Sequence, residues 1–265
     1  MVRIFLDIGA HIGETLKEVS KEKYAFDRII CFEPSKSCIE TLEKFAANDP
    51  RIEVLQIGLS NITGIEKLYN SGELNGSIFV EDNSEDMDSE SISLVDASTW
   101  YSENISPDDF VIIKTNCEGS EVNIVDSFLK GNTFDHFYSL LITFDIRDYP
   151  SLAHQEIEIR KRLKATNFVN FCFSDDVMIG PTHEKRIENW LTSFGVNMPQ
   201  KSERDLREEF KENFIKYSCK SGKLTRLEIS LKRIFMYQRL PNFMKNLLRL
   251  IKRLLKLNRE RSLDP

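Results

Sequence analysis

Six short apolar runs, at residues 3–6, 28–32, 52–57, 110–113, 137–144 and 168–173, are spaced along the first 180 residues, most of them separated by helix-patterned segments. This alternation constrains the fold more than any other feature. Strands joined by helical crossovers build a parallel sheet covered by helices. Helices are expected from about Glu14, after Pro34-Ser35, over 121–130 and over about 153–164. In the second of these, Ile39, Leu42, Phe45 and Ala46 fall on one face. In the third, Val122, Val125, Phe128 and Leu129 point inward and Gly131 stands where a C-terminal cap belongs. Between 58 and 106 the pattern loosens into strand fragments and loops, punctuated by Asn61, Gly64, Gly72 and Gly76. Only Ser174, Asp175 and Asp176 separate the sixth run from an apolar segment at 177–179. Three residues suffice for a hairpin but not for a parallel crossover, so a seventh, antiparallel strand is expected there.

Composition narrows the class. With 41% hydrophobic and 29% charged residues in 265, the chain is ordinary for a soluble globular protein. No apolar run approaches the roughly 18 residues of a spanning helix. Val2 to Leu6 is closed by Asp7, too short a run for a signal peptide. The five cysteines form no CxxC pair, and Cys31 and Cys172 lie inside apolar runs, which reads as a reducing, cytoplasmic setting. The four histidines have no zinc-like spacing, so no metal site is expected. Residues 81–90 hold six acids, read as a solvated loop, and the Asp86-Met87-Asp88 triplet within it lacks any supporting context for a metal.

The net charge of −6 hides an asymmetry. From Lys220 onward there are 13 Lys/Arg against three acids, or +10, while the rest of the chain carries 23 against 39, or −16. An acidic body repels phosphate, so no nucleic-acid partner is expected.

Three motifs carry the chemistry. The first run leads directly into Asp7-Ile8-Gly9-Ala10-His11-Ile12-Gly13-Glu14-Thr15. Glycines at a strand-to-helix turn let a cofactor approach the backbone. The spacing is G-x-x-x-G, not the G-x-G-x-x-G of a pyrophosphate site. An acid two residues ahead of the turn suits a cofactor carrying an ammonium and a sulfonium better than one carrying phosphate. Glu33 ends the second run, twenty residues after Gly13, where a carboxylate can accept from both ribose hydroxyls. The third motif, Ile113-Lys114-Thr115-Asn116-Cys117-Glu118-Gly119-Ser120-Glu121, leaves the carboxyl end of a buried strand, where ligands bind in open α/β sheets. If strand pairing continues, Lys114, Asn116 and Glu118 share one face. Glu121 reads equally well as an acid favoured at a helix start.

Together, LDIGAHIGET at 6–15, CFEPS at 31–35, IGLSNITG at 57–64 and IKTNCEGSE at 113–121 resemble FkbM-type S-adenosylmethionine-dependent methyltransferases, in order and spacing, over about residues 4–145. The resemblance implies a Rossmann-like class I methyltransferase fold: a seven-stranded, mostly parallel sheet with a reversed terminal hairpin. It implies S-adenosylmethionine as cofactor, bound by Asp7, Gly9, Gly13 and Glu33, with Ser60 and Asn61 on the adenine side. Ala10, Glu14, Thr15 and Ser35, inside the same motifs, complete the expected cofactor-binding set. It also implies O-methylation, often of a sugar or glycan hydroxyl. His11, Asn116 and Asp145 stand where the family commonly has Asn, Asp and Glu, and Asn116 cannot act as a base. The candidates for the base are Glu118, Asp145 and His11, with Lys114 orienting a substrate oxygen or pairing with Glu118. A cofactor-binding scaffold of glycan assembly with weakened catalysis is the alternative that Asn116 favours.

Residues 1–183 are read as the methyltransferase domain and 184–265 as a helical extension, in which 184–220, with Trp190, Phe194 and Phe210, would cover the cofactor or form a substrate lid. Within it, about residues 240–257 form a basic amphipathic helix with Phe243, Leu247, Ile251 and Leu254 on one stripe and Lys245, Arg249, Lys252 and Arg253 around it. Such a helix suits an anionic membrane surface at the inner face of the membrane or an acidic partner. It could equally pack on the acidic body or on a second copy, forming a homodimer.

Overall fold

The computed structural model of the protein describes residues 1–80, 88–166 and 168–194. Residues 81–87, and in the extension Phe210 and residues 240–257, for which a basic helix is expected, lie outside the described residues.

The chain runs β1 (Arg3–Ile8), α1 (Leu16–Val19), β2 (Arg28–Phe32), α2 (Lys36–Ala46), β3 (Ile52–Leu55), β4 (Gly58–Ser60), β5 (Gly64–Tyr69), β6 (Ser89–Asp96), α3 (Ala97–Asn104), β7 (Phe110–Thr115), α4 (Glu121–Gly131), β8 (Ser139–Ile142), α5 (His154–Ala165), β9 (Phe171–Phe173), α6 (Ser174–Val177) and α7 (His183–Phe194). Six strands pair in parallel in the order β3-β2-β1-β7-β8-β9. The order reverses between β1 and β7, and there the carboxyl ends of neighbouring strands diverge into a crevice. Ile4, Phe5, Ile29, Ile30, Val111, Ile112 and Ile113 are wholly buried, as the middle strands of a sheet covered on both faces must be. A second sheet, β4-β6-β5, pairs β4 parallel and β5 antiparallel to β6. It supplies its own apolar cluster of Leu68, Ile92 and Leu94.

The reversed hairpin expected at the end of the sheet is not formed. β9 runs parallel to β8, with Leu140 opposite Phe171 and Ile142 opposite Phe173. Residues 174–177 wind into α6, in which the Met178 amide donates to the Ser174 carbonyl at 2.9 Å. Asp175 and Asp176, read as turn residues, occupy the first turn of that helix, where acids face its positive end. The Arg147 guanidinium holds Asp175 from outside at 2.8 Å. The cap of α4 is also displaced: Gly131 is its last residue and Asn132, at φ 56°, takes the left-handed cap position.

The boundary drawn at 183 falls at the first residue of α7, which packs into the same core as the sheet. Ile187, Trp190 and Leu191 are buried in a cluster with Phe5, Leu16 and Val19. Trp190 meets the Phe5 ring edge-on at 6.2 Å, so it is a core residue and not part of a lid. No helix among the described residues is long and apolar enough to cross a membrane.

Candidate functional site

The carboxyl ends of β1, β2 and β7 open into a cavity of about 320 Å³. That is the size of the smaller ligand pockets found in proteins. One wall is polar, from the glycine turn, Glu33, Lys114, Asn116 and Glu118; the other is apolar, from Leu59, Leu68, Ile92 and Leu94 of the small sheet and Ile78, which packs against it.

The glycine turn is tied down on both sides. The amides of Gly9 and Ala10 both donate to the Phe32 carbonyl, at 3.0 and 3.1 Å. Gly9 has φ 79°, and a Cβ there would lie 1.9 Å from the Asn116 carbonyl oxygen. His11 follows in the left-handed region, at φ 48°. That conformation turns its amide onto Glu33 Oε2 at 2.8 Å, while its Nδ1 sits 3.2 Å from Glu14. The other Glu33 oxygen accepts from the Ser35 amide at 2.9 Å. Glu33 thus ties the glycine turn to the loop after β2. Each oxygen keeps a lone pair for a ligand hydroxyl. Burial pushes its carboxyl up, although the two amides pull the other way.

Asp7 is not in the cavity wall. It is wholly buried beneath the turn, with Oδ1 2.9 Å from the Lys114 ammonium. Its Oδ2 has no hydrogen-bond partner among the described residues. Lys114 also donates to the Gly9 carbonyl at 2.7 Å. Burial disfavours the lysine's charge, but Asp7 outweighs it and its pKa is raised. Lys114 is therefore committed to the turn and does not pair with Glu118.

β7 ends at Thr115, so the shared face expected for Lys114, Asn116 and Glu118 breaks at the third residue. Glu118 (φ 47°) and Gly119 (φ 104°) form a left-handed turn. Glu121, wholly buried, braces this turn by accepting from the Cys117 amide at 2.6 Å and the Gly119 amide at 3.0 Å. Burial, with Asp145 nearby, pushes its carboxyl up to about 8. Ser77 donates to the Glu118 carbonyl at 2.6 Å, joining the loop after β5 to the same turn. The Glu118 side chain lines the cavity, and burial together with Asp145 and Asp148 pushes its carboxyl up to about 7. Asp145 is outside the cavity lining, at the start of a 3-10 turn, with its carboxyl raised to about 6 by burial and Asp148.

Of the expected cofactor set, Gly9, Ala10, Glu14, Thr15, Glu33 and Ser35 line the cavity. Gly13 packs against Phe45 instead, and Ser60 is buried on β4. Asn61 is outside the lining and donates to Asp126 at 3.1 Å. Of the expected catalytic set, His11, Lys114, Asn116 and Glu118 line it and Asp145 does not.

His183 lines the cavity without having been singled out in the sequence. Its helix start could have been read: Gly180-Pro181 breaks the chain, and Thr182 caps the helix by accepting from the Lys185 amide at 3.2 Å. Among the described residues, no group of three or more His, Cys, Asp or Glu side chains could hold a metal ion.

No family model matches the chain, and no curated protein does. Among solved structures, the chain is similar to the crystal structure of methyltransferase FkbM from Methylobacillus flagellatus KT, with 20% sequence identity and a TM-score of 0.33. The match covers 49% of this chain and 30% of that one.

Proposed function

We propose that the protein is an S-adenosylmethionine-dependent methyltransferase that transfers the methyl group to an oxygen, with a sugar hydroxyl of a glycan or its precursor as acceptor. One observation carries this reading: the glycine turn, Glu33 and the Glu118 turn, far apart in sequence, meet at one cavity at the reversal point of the sheet. The character of the cavity supports the cofactor. Its lysine is already neutralised by Asp7, and Glu14 and Glu33, joined by Glu118 above about pH 7, add negative charge. Such a wall suits an ammonium and a sulfonium and repels a pyrophosphate. The six-strand order is also that of dinucleotide-binding folds, which keeps a nicotinamide cofactor as the second reading. Against it, α1 has four residues, little helix to aim at a phosphate.

When bound, the cofactor would supply an electrophilic methyl group. Glu33 and the backbone of Gly9 and Ala10 would hold it. Glu118 would accept the proton leaving the acceptor hydroxyl. With a carboxyl pushed up to about 7, it is matched to a neutral-pH base. A base must be deprotonated to act, so turnover should rise with pH through about 7.

Two measurements test the reading. In calorimetry, S-adenosylmethionine should bind and NAD should not. Glu33→Ala should weaken binding by about 10- to 100-fold, the size of one charge-assisted hydrogen bond of about 1.5–3 kcal/mol. Binding of NAD alone would move the protein to the second reading. With sugar acceptors, Glu118→Gln should lower kcat by about 10²-fold or more, as general-base loss does, with cofactor affinity nearly unchanged. Turnover that survives nearly intact removes Glu118 as the base.

A further inference from the structure

α7 reaches the cavity from the far end of the described chain. Its core residues Ile187, Trp190 and Leu191 anchor it beside α1, and its first residue, His183, projects to the glycine turn. There His183 Nε2 lies 3.0 Å from the Thr15 hydroxyl, across 168 residues of sequence. Thr15 is itself 2% exposed.

We propose that His183 is a positioning residue of the cofactor site, fixing Thr15 and the end of the glycine turn as a neutral imidazole so that the adjacent space accepts a cationic ligand. This rests on the S-adenosylmethionine reading above.

The surroundings explain why the imidazole stays neutral. Lys114 faces it from β7, and its own position in the first turn of α7 places it at the positive end of that helix. Asp7 from β1, Glu14 from the turn and Glu184 from α7 act in the opposite sense. The net direction is downward, with burial the first cause and Lys114 the second. The imidazole therefore takes its proton only below the ordinary histidine value of about 6.5. In that form it adds a cation next to Lys114, at the place where a sulfonium or ammonium would bind. Its Nε2 could then only donate to Thr15.

The test compares two ligands that differ in this charge. S-adenosylmethionine carries the sulfonium; S-adenosylhomocysteine carries a neutral thioether in its place. Affinities for both are measured by calorimetry from pH 8 down to about 5.5 for wild type and His183→Gln. A ligand that lowers the His183 pKa by about one unit binds the protonated form about tenfold more weakly. Glu33 and Glu118 also take up protons as pH falls, so the wild-type profile alone does not isolate His183. The difference between wild type and the variant does. The expected result is that acidification weakens S-adenosylmethionine more than S-adenosylhomocysteine in wild type, and that this excess shrinks by about tenfold in His183→Gln. Equal weakening of both ligands at every pH would mean packing alone and would overturn the proposal, as would an unchanged variant. Should His183→Gln not fold, NMR titration of the His183 imidazole in wild type decides. Its pKa should fall with S-adenosylmethionine and stay put with S-adenosylhomocysteine; equal shifts would overturn the proposal. If folded wild-type protein binds neither ligand, the cofactor reading itself fails and this inference falls with it.

Discussion

Gly9→Ala should abolish cofactor binding and destabilise the fold by about 3 kcal/mol or more, among the largest effects a single methyl group can have here. Two penalties combine. At φ 79° an L side chain pays about 1–2 kcal/mol for the left-handed backbone alone. The added Cβ would also lie 1.9 Å from the Asn116 carbonyl oxygen and 2.8 Å from its carbon. Neither partner can retreat cheaply. The Gly9 amide is held by Phe32 at 3.0 Å and its carbonyl by Lys114 at 2.7 Å. On the other side, the Asn116 amide donates to Ile8 at 3.0 Å, and Glu121 grips the amides that follow. Relief must come from separating the ends of β1 and β7, which opens the cavity. Gly64→Ala is the control. A Cβ at Gly64 meets nothing within 4 Å, so the change should stay within about 0.5 kcal/mol. Urea denaturation gives the stabilities and calorimetry the binding. If Gly9→Ala matches Gly64→Ala in both, the close approach of the two strand ends is not what shapes the site.

The sheet was legible where burial on both faces forced continuous apolar runs. β1, β2, β7 and β8 are such runs, and the helices between them show their inward stripes in sequence. The edge was not legible. A three-residue polar step after Phe173 is compatible with a hairpin or a helix start, and Arg147 reaching Asp175 from another segment stabilises the second. β6 escaped because only Ile92 and Leu94 alternate inward, in a strand otherwise rich in Ser and acids. The glycine turn could be read because its residues are contiguous. Two of its supports could not. His183 is 168 residues from its partner, and Asp7, read as facing the cofactor, lies outside the cavity and pairs with Lys114 of its wall, which was read as orienting a substrate oxygen or pairing with Glu118. Glu121 belongs with them: a carboxylate in a helix's first turn looks alike in sequence whether it faces water or, as here, two buried loop amides.

Lys114→Met should cost about 3–5 kcal/mol, because it leaves a buried carboxylate with no counter-charge. Asp7 is fully buried, and its Oδ2 has no hydrogen-bond partner among the described residues even with the lysine in place. The deficit should depend on pH in a definite direction. Burial already pushes the Asp7 carboxyl up in the native protein, against the pull of Lys114. Without the lysine only His183 pulls against that burial, so the folded variant keeps Asp7 protonated well above its unfolded value of about 3.9. A group with a raised folded pKa leaves the folded state unpenalised below the unfolded value and penalises it as pH rises toward the folded one. The Lys114→Met deficit should therefore be smaller at pH 5, vanish only as pH falls toward about 4, and be largest at neutral and alkaline pH. Adding Asp7→Leu should recover most of the loss and flatten the pH dependence, since apolar replacement of a buried pair is often neutral. Urea denaturation of the wild type and both variants at pH 5 and pH 8 measures all three terms. A deficit equal at the two pH values, or one that Asp7→Leu does not repair, would mean that Lys114 stabilises the fold through the Gly9 carbonyl alone. In the double variant the glycine turn loses both the ammonium and the charge beneath it. Restored stability without restored cofactor binding would assign the pair to shaping the turn for its ligand.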